Sequence, residues 1–202
     1  MLTENQLTVK SAMSFCRPID THGHPIFLIG MMGSGKTTVG KELSRLTGLP
    51  LLDMDSIIEE QIGKSIPEIF RDSGEAHFRA LETALLRYIE NYRVPPLGPA
   101  IISTGGSVVL SPINREIMKR VGFVVWLDVD TEAVIERTSR SSNRPLLNTE
   151  NRQAVIDNLI AQRAPLYADA AHLRIETAQL EVLAVVDVVH DAAVEFFSHS
   201  EY

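Results

Sequence analysis

The sequence predicts an α/β domain built as a doubly wound, five-stranded parallel sheet with helices on both faces. Three observations carry that expectation. Five short runs are nearly continuous in Val, Ile, Leu and Phe, the composition of strands buried on both faces. Stretches with apolar residues at helical spacing separate them, and strands alternating with helices imply right-handed crossovers and a parallel sheet. A glycine-rich turn joins the first run to the first helix, at the carboxyl end of a strand, where such sheets bind ligands.

The elements follow in order. Residues 1–24 are polar and irregular, broken by Pro18 and Gly23, and read as a loosely ordered extension ahead of a single domain over residues 25–200. His22 and His24 have no third ligand nearby, so linker histidines are a better reading than a metal pair. The predicted strands are PIFLIG (25–30), LPLLDMD (49–55), PAIISTGG (99–106), GFVVWLDV (122–129) and HLRIET (172–177). Helices are predicted over residues 36–46, 75–91, 112–120, 131–140 and 152–163, with a terminal one over 180–197. Two stretches are more polar than a packed core would want: residues 56–74, and TSRSSNRPLLNTENR over 138–152, a candidate lid.

Composition bounds the function. At 202 residues, 45% hydrophobic and 22% charged, the chain fits one ordinary globular domain, or at most two small ones. No apolar run approaches the roughly 20 residues that cross a bilayer, and the first residues lack the apolar core of a signal peptide, so a cytoplasmic protein is expected. A net charge of -7 argues against a general nucleic-acid or membrane surface. Anionic ligands must then be met by a few focused cations, and 14 of the 19 basic residues are arginine, whose planar fork suits carboxylates and phosphates. Cys16 is the one cysteine and reads as an incidental thiol.

After the first strand comes GMMGSGKTT, in which Gly30, Gly35, Lys36 and Thr37 match G-x-x-x-x-G-K-[ST]. At ordinary residue frequencies a random match in a chain of this length has a probability below ~1%. The chemistry explains the spelling: glycines let successive N–H groups curl around phosphates, and the helix N-terminus adds its positive end. Lys36 reaches the β- and γ-phosphates, and Thr37 offers a hydroxyl to Mg²⁺. Nucleoside triphosphate binding on a P-loop NTPase-type sheet is therefore expected.

A carboxylate to organise the metal is the next requirement, and two strands end in aspartate. VVWLD has the look of the generic acidic strand of such enzymes, yet Asp130 before TEAVIERT reads equally well as a helix N-cap, giving Asp128 and Asp130 a structural role. Asp53 and Asp55, two apart, would point both carboxylates to one side if the strand persists.

GMMGSGKTT, LLDMDSIIE, SGEAHFRALE, STGG, NRPLL and QRAPLY occur in this order, and together they resemble the shikimate kinase family, from about Ile26 to Thr177 and more weakly through the terminal helix. The resemblance implies transfer of the γ-phosphoryl group of ATP to the 3-hydroxyl of shikimate, in chorismate and aromatic amino acid biosynthesis, by a cytoplasmic monomer. ATP would be held by Gly33, Ser34, Gly35, Lys36, Thr37, Thr38, Arg137 and Arg144, and Mg²⁺ by Thr37 directly and Asp53 through water. Arg144 of NRPLL would be the lid arginine, and Lys36, Asp55 and Arg144 the catalytic set. The acceptor would meet Asp55 at its hydroxyls, Arg79 and Arg163 at its carboxylate, and the backbone of Gly105 and Gly106, with Glu82 holding Arg79 from the same helical face. The acceptor segment would span about residues 54–90. Another P-loop small-molecule kinase, such as a gluconate kinase, is the competing reading, and a non-catalytic nucleotide-binding module a third.

The glycine pair gains meaning only from this context, since 12 glycines in 202 residues produce about one adjacent pair by chance. The family usually has three glycines here, and this chain has Ser107 as the third residue. Position 107 should therefore not need positive φ, and Ser107→Gly is expected to preserve activity.

Overall fold

The computed structural model describes residues 16–91, 99–138 and 151–199. Arg144, most of the candidate lid and residues 1–15 lie outside them. The strands are β1 (Ile26–Ile29), β2 (Leu51–Asp53), β3 (Ile101–Ser103), β4 (Phe123–Asp128) and β5 (Leu173–Glu176). They form one all-parallel sheet in the order β2-β3-β1-β4-β5. The helices are α1 (Lys36–Thr47), α2 (Met54–Ile62), α3 (Ile66–Asn91), α4 (Pro112–Val121), α5 (Thr131–Thr138), α6 (Arg152–Ala170) and α7 (Val182–His199).

Strand alternation divides the core into two layers. Phe27, Ile29, Ile102, Val124 and Trp126 face Leu86 of α3, Met118 of α4 and Ile156 and Tyr167 of α6. Ile26, Leu28, Ile101, Val125 and Leu127 face Leu43 of α1 and Val185, Val189 and Phe197 of α7. Side chains on successive residues point to opposite faces, so β1 must be apolar throughout. Each of these large side chains contributes roughly 1.5–3 kcal/mol when fully buried.

The outer strands depart from the expected pattern. β5 pairs only with β4, and along it Ile175 is buried while Arg174 and Glu176 are exposed. Its Ile175 face packs with Val185 and Val189 of α7 while the opposite face meets solvent, so the run is not buried on both sides. The stretch 56–74 that seemed too polar is helical: α2 and the first part of α3 place Ile58, Ile69 and Phe78 in a small separate core and turn their polar faces outward. α3 bends at Gly74, whose φ of 79° and ψ of 168° interrupt the helix where the sequence had suggested a start. α6 runs past the expected end at Arg163 and through Pro165, held by burial of Tyr167 and Ala170.

Residues 16–24, the described part of the expected extension, are fastened to the domain. Arg17 pairs with Asp187 and Asp191 of α7 at 2.7 and 2.6 Å, its N–H donates to Leu46, and its carbonyl accepts from His190. His24 is buried with Nδ1 donating to the carbonyl of Val121. No described helix is long and apolar enough to cross a membrane.

Candidate active site

The order β3-β1-β4 brings two loops together at the carboxyl ends of the strands: residues 30–35 after β1 and residues 104–107 after β3. A cleft of about 430 Å³ opens between them, lined by Gly33, Gly35, Lys36, Thr37, Thr38, Asp53, Asp55, Thr104, Gly105, Gly106 and Arg137 among others. Glu82, Arg79, Ser107 and Arg163 adjoin its Gly105–Gly106 wall. The described residues predicted from the sequence are thus brought to one region.

The loop leading into α1 depends on its glycines. Gly30, Gly33 and Gly35 take φ of 144°, 78° and 95°, and a Cβ on Gly30 would sit 2.4 Å from the carbonyl oxygen of Leu127. Lys36 Nζ donates to the carbonyls of Gly30 and Met31, at 2.8 Å each. Arg137, on α5, donates to the carbonyls of Gly33 and Thr177 at 3.3 and 3.0 Å, which joins the loop to the segment after β5. Ser34 is buried beneath the loop and Thr38 lines the cleft.

The two acidic pairs separate cleanly. Asp130 caps α5 by accepting from the N–H of Ala133 at 2.8 Å, and Asp128 pairs with Arg174, so both are structural. Strand alternation does not govern Asp53 and Asp55, because β2 ends at Asp53 and α2 begins at Met54. Asp53 is the N-cap of α2, its Oδ1 accepting from the N–H groups of Asp55 and Ser56 at 3.1 and 3.3 Å. Asp55 lies in the first turn, and the strand-to-helix change still leaves both carboxylates on the cleft. The Thr37 hydroxyl and the remaining oxygen of Asp53 are hard donors suited to Mg²⁺.

Asp55 Oδ1 and Glu82 Oε1 are buried without a hydrogen-bond partner among the described residues. Each lies 3.0 Å from where a Cβ on Gly105 would stand. Gly105 is required by this crowding and not by its φ. Burial first, then the charge of Asp53, pushes the Asp55 carboxyl up to about 6 from 3.8, against the opposing pull of Lys36. Burial also raises Glu82, while its bond to Arg79 opposes the shift.

Arg79 reaches Ser107, next to the glycine pair, and Arg163 reaches Gly106. Arg79 NH1 donates to Glu82 Oε2 at 2.7 Å, as the i,i+3 spacing suggested, and Glu82 is only 1% exposed. Arg163, 8% exposed, donates through NH1 to the carbonyl of Gly106 at 3.2 Å. Sequence reasoning missed two partners. Tyr167 Oη also donates to the carbonyl of Gly106, and Ser107 Oγ accepts from Arg79 NH1. Tyr167 closes the QRAPLY motif one turn after Arg163, a spacing that could have flagged it. Nothing local to residue 107 points to α3.

The comparisons with known proteins agree with this geometry. The family model described as Shikimate kinase matches residues 32–193. A shikimate kinase of Acinetobacter baylyi is 44% identical over 154 residues, covering 76% of this chain and 83% of that protein. The shikimate kinase from Acinetobacter baumannii in complex with shikimate superposes with a TM-score of 0.78 at 35% identity, over 92% of this chain and 98% of that one. A gluconokinase from Sinorhizobium meliloti, at 12% identity and a TM-score of 0.52 over 89% of this chain and 96% of that one, shares the fold alone.

Proposed function

Because this chain belongs to the shikimate kinase family, its reaction is transfer of the γ-phosphoryl group of ATP to the 3-hydroxyl of shikimate, and we propose that the cleft residues divide that work as follows. Asp55 accepts hydrogen bonds from the ring hydroxyls and takes the proton of the attacking one. Arg79 and Arg163 hold the acceptor carboxylate, and the N–H groups at Gly105 and Gly106 approach the acceptor closely. Gly33, Ser34, Gly35, Thr37 and Thr38 supply the nucleotide cradle, with Lys36 on the β- and γ-phosphates and Arg137 beside the base. Arg144, from the lid of about residues 138–152, balances charge on the transferring group.

The observation that carries this reading is the half-buried Asp55 carboxylate, whose buried Oδ1 has no hydrogen-bond partner among the described residues, in one cleft with Lys36 and the nucleotide loop. Phosphoryl transfer leaves little covalent work for a protein, so positioning and charge are what the residues provide. Thr37, and Asp53 through water, would hold Mg²⁺, which when bound neutralises charge on the phosphate oxygens. In this reading one domain over residues 25–200 acts as a cytoplasmic monomer, without nucleic-acid or membrane partners, and its net charge of -7 supports the last point.

ADP release by the full chain, with ATP and Mg²⁺, measured against shikimate, gluconate and nucleoside monophosphates, tests the assignment. Turnover is expected with shikimate alone. Absence of shikimate-dependent turnover would overturn it.

Two finer outcomes follow. Arg79→Ala is expected to raise the acceptor KM by about 10²-fold through loss of a charge-assisted grip, with a smaller change in kcat; unchanged acceptor KM would remove Arg79 from the clamp. The acid limb of kcat/KM is expected near pH 6, where the raised Asp55 carboxyl titrates. The charge of Asp53 helps to raise it, so Asp53→Asn should move that limb to lower pH even as it reduces the rate. A limb that stays in place or moves upward would contradict this coupling.

A further inference from the structure

Resting on the reading of Arg79 as the acceptor-carboxylate clamp, we propose that the Ser107 hydroxyl is a positioning group that fixes the guanidinium plane of Arg79 and thereby sets acceptor affinity.

The donors of Arg79 are distributed unevenly. Both hydrogens of NH1 are taken, one by Glu82 Oε2 and one by Ser107 Oγ. Nε and one hydrogen of NH2 go to Glu75 Oε1, at 3.2 and 2.8 Å. These two sides differ in permanence. Glu82 is buried, whereas the Glu75 side chain is 61% exposed, and an exposed pair of this kind is weak and readily exchanged. An incoming carboxylate can therefore replace Glu75 on the Nε and NH2 edge, the geometry of a bidentate grip, while NH1 stays anchored. The ring of Phe78, 5.3 Å from Cζ, supports the face of the guanidinium but leaves it able to rotate in its own plane. Two bonds on NH1 from different elements stop that rotation.

The Ser107 hydroxyl is committed to this contact and not to local structure. Ser107 precedes the 3₁₀ turn Val108–Leu110, where a serine side chain ordinarily caps a backbone N–H. Here it makes no such bond, and it is the backbone carbonyl of Ser107 that accepts from Leu110. With φ of -113° and ψ of 2° the position lies outside the left-handed region that favours glycine, so the backbone does not ask for a third glycine there. A third glycine would leave one NH1 hydrogen of Arg79 without this partner.

Steady-state kinetics of the full chain, with shikimate as the varied acceptor, decide the matter. The contact with Arg79 revises the expectation from sequence that Ser107→Gly preserves activity: Ser107→Gly and Ser107→Cys, the second similar in volume but a weak acceptor, are each expected to raise the acceptor KM about fivefold. Turnover at saturating acceptor should change less than about twofold, because Arg79 does not touch the reacting atoms. Ser107→Thr, which keeps the hydroxyl, should restore KM. In an Arg79→Ala background, Ser107→Gly should add nothing, since the two side chains act as one unit. The inference is overturned if Arg79→Ala raises KM while Ser107→Gly does not, or if the Ser107→Gly penalty persists undiminished without Arg79. If Arg79→Ala itself leaves KM unchanged, the clamp reading fails first and this inference with it.

Discussion

Asp55→Asn is expected to lower turnover by about three orders of magnitude while making the folded protein more stable at neutral pH. The first effect follows from losing the group that receives the proton. Asparagine keeps the shape of the side chain and its hydrogen-bonding reach, so acceptor KM should move much less than kcat, and a comparable loss in both would point to positioning alone. The second effect follows from the sign of the pKa shift. In the folded chain the carboxyl is pushed up to about 6, so between about pH 4 and 6 the folded state holds a proton that the unfolded state has released. Stability from this group therefore falls as pH rises through that window, and above it the buried charge is a standing cost. Removing that charge should raise the melting temperature at pH 7.5 by about 2 to 6 °C, an effect that should vanish near pH 4. Thermal unfolding of the two proteins at both pH values measures it. A variant that loses activity and is also less stable at neutral pH would show that the carboxylate is favourably paired in the folded state.

Lys36→Ala is expected to cost turnover by about 10³-fold with little change in folding, since one preorganised charge at a transferring phosphoryl group is commonly worth 10² to 10³. Lys36 lies on the first turn of α1, and its Nζ donates to carbonyls of the loop it closes, those of Gly30 and Met31. To meet a phosphate it has only to exchange these for other oxygens, a small motion on a fixed loop. Lys36→Arg is not expected to rescue the rate, because the larger planar guanidinium spreads the charge and does not fit a point contact. Turnover within tenfold of the unaltered protein would mean that the loop N–H groups and the helix N-terminus carry the phosphates without it.

Much of this protein is settled over short stretches of chain. Unbroken apolar runs in Ile26–Ile29 and Phe123–Asp128 identify central strands, and the spacing Gly30 to Thr37 identifies a phosphate loop. Asp130 before α5 marks a helix start that its hydrogen bond from Ala133 fulfils. Arg79 and Glu82 meet because three residues make nearly one helical turn. These signals are legible because each depends on the geometry of a few consecutive residues.

The rest waited for the tertiary structure. Residues 56–74 look too polar until Ile58, Ile69 and Phe78 find one another in a small core of their own. β5 reads as buried on both faces until the packing covers only its Ile175 face, against α7. Asp53 and Asp55 share the cleft through a strand that turns into a helix between them, a change that alternation cannot register. Ser107 with Arg79, and Tyr167 and Arg163 with Gly106, bridge separations of 28, 61 and 57 residues. No local period encodes such distances. They exist because the loop after β3 meets α3 through Ser107 and α6 through the Gly106 carbonyl, contacts that only the folded chain brings together.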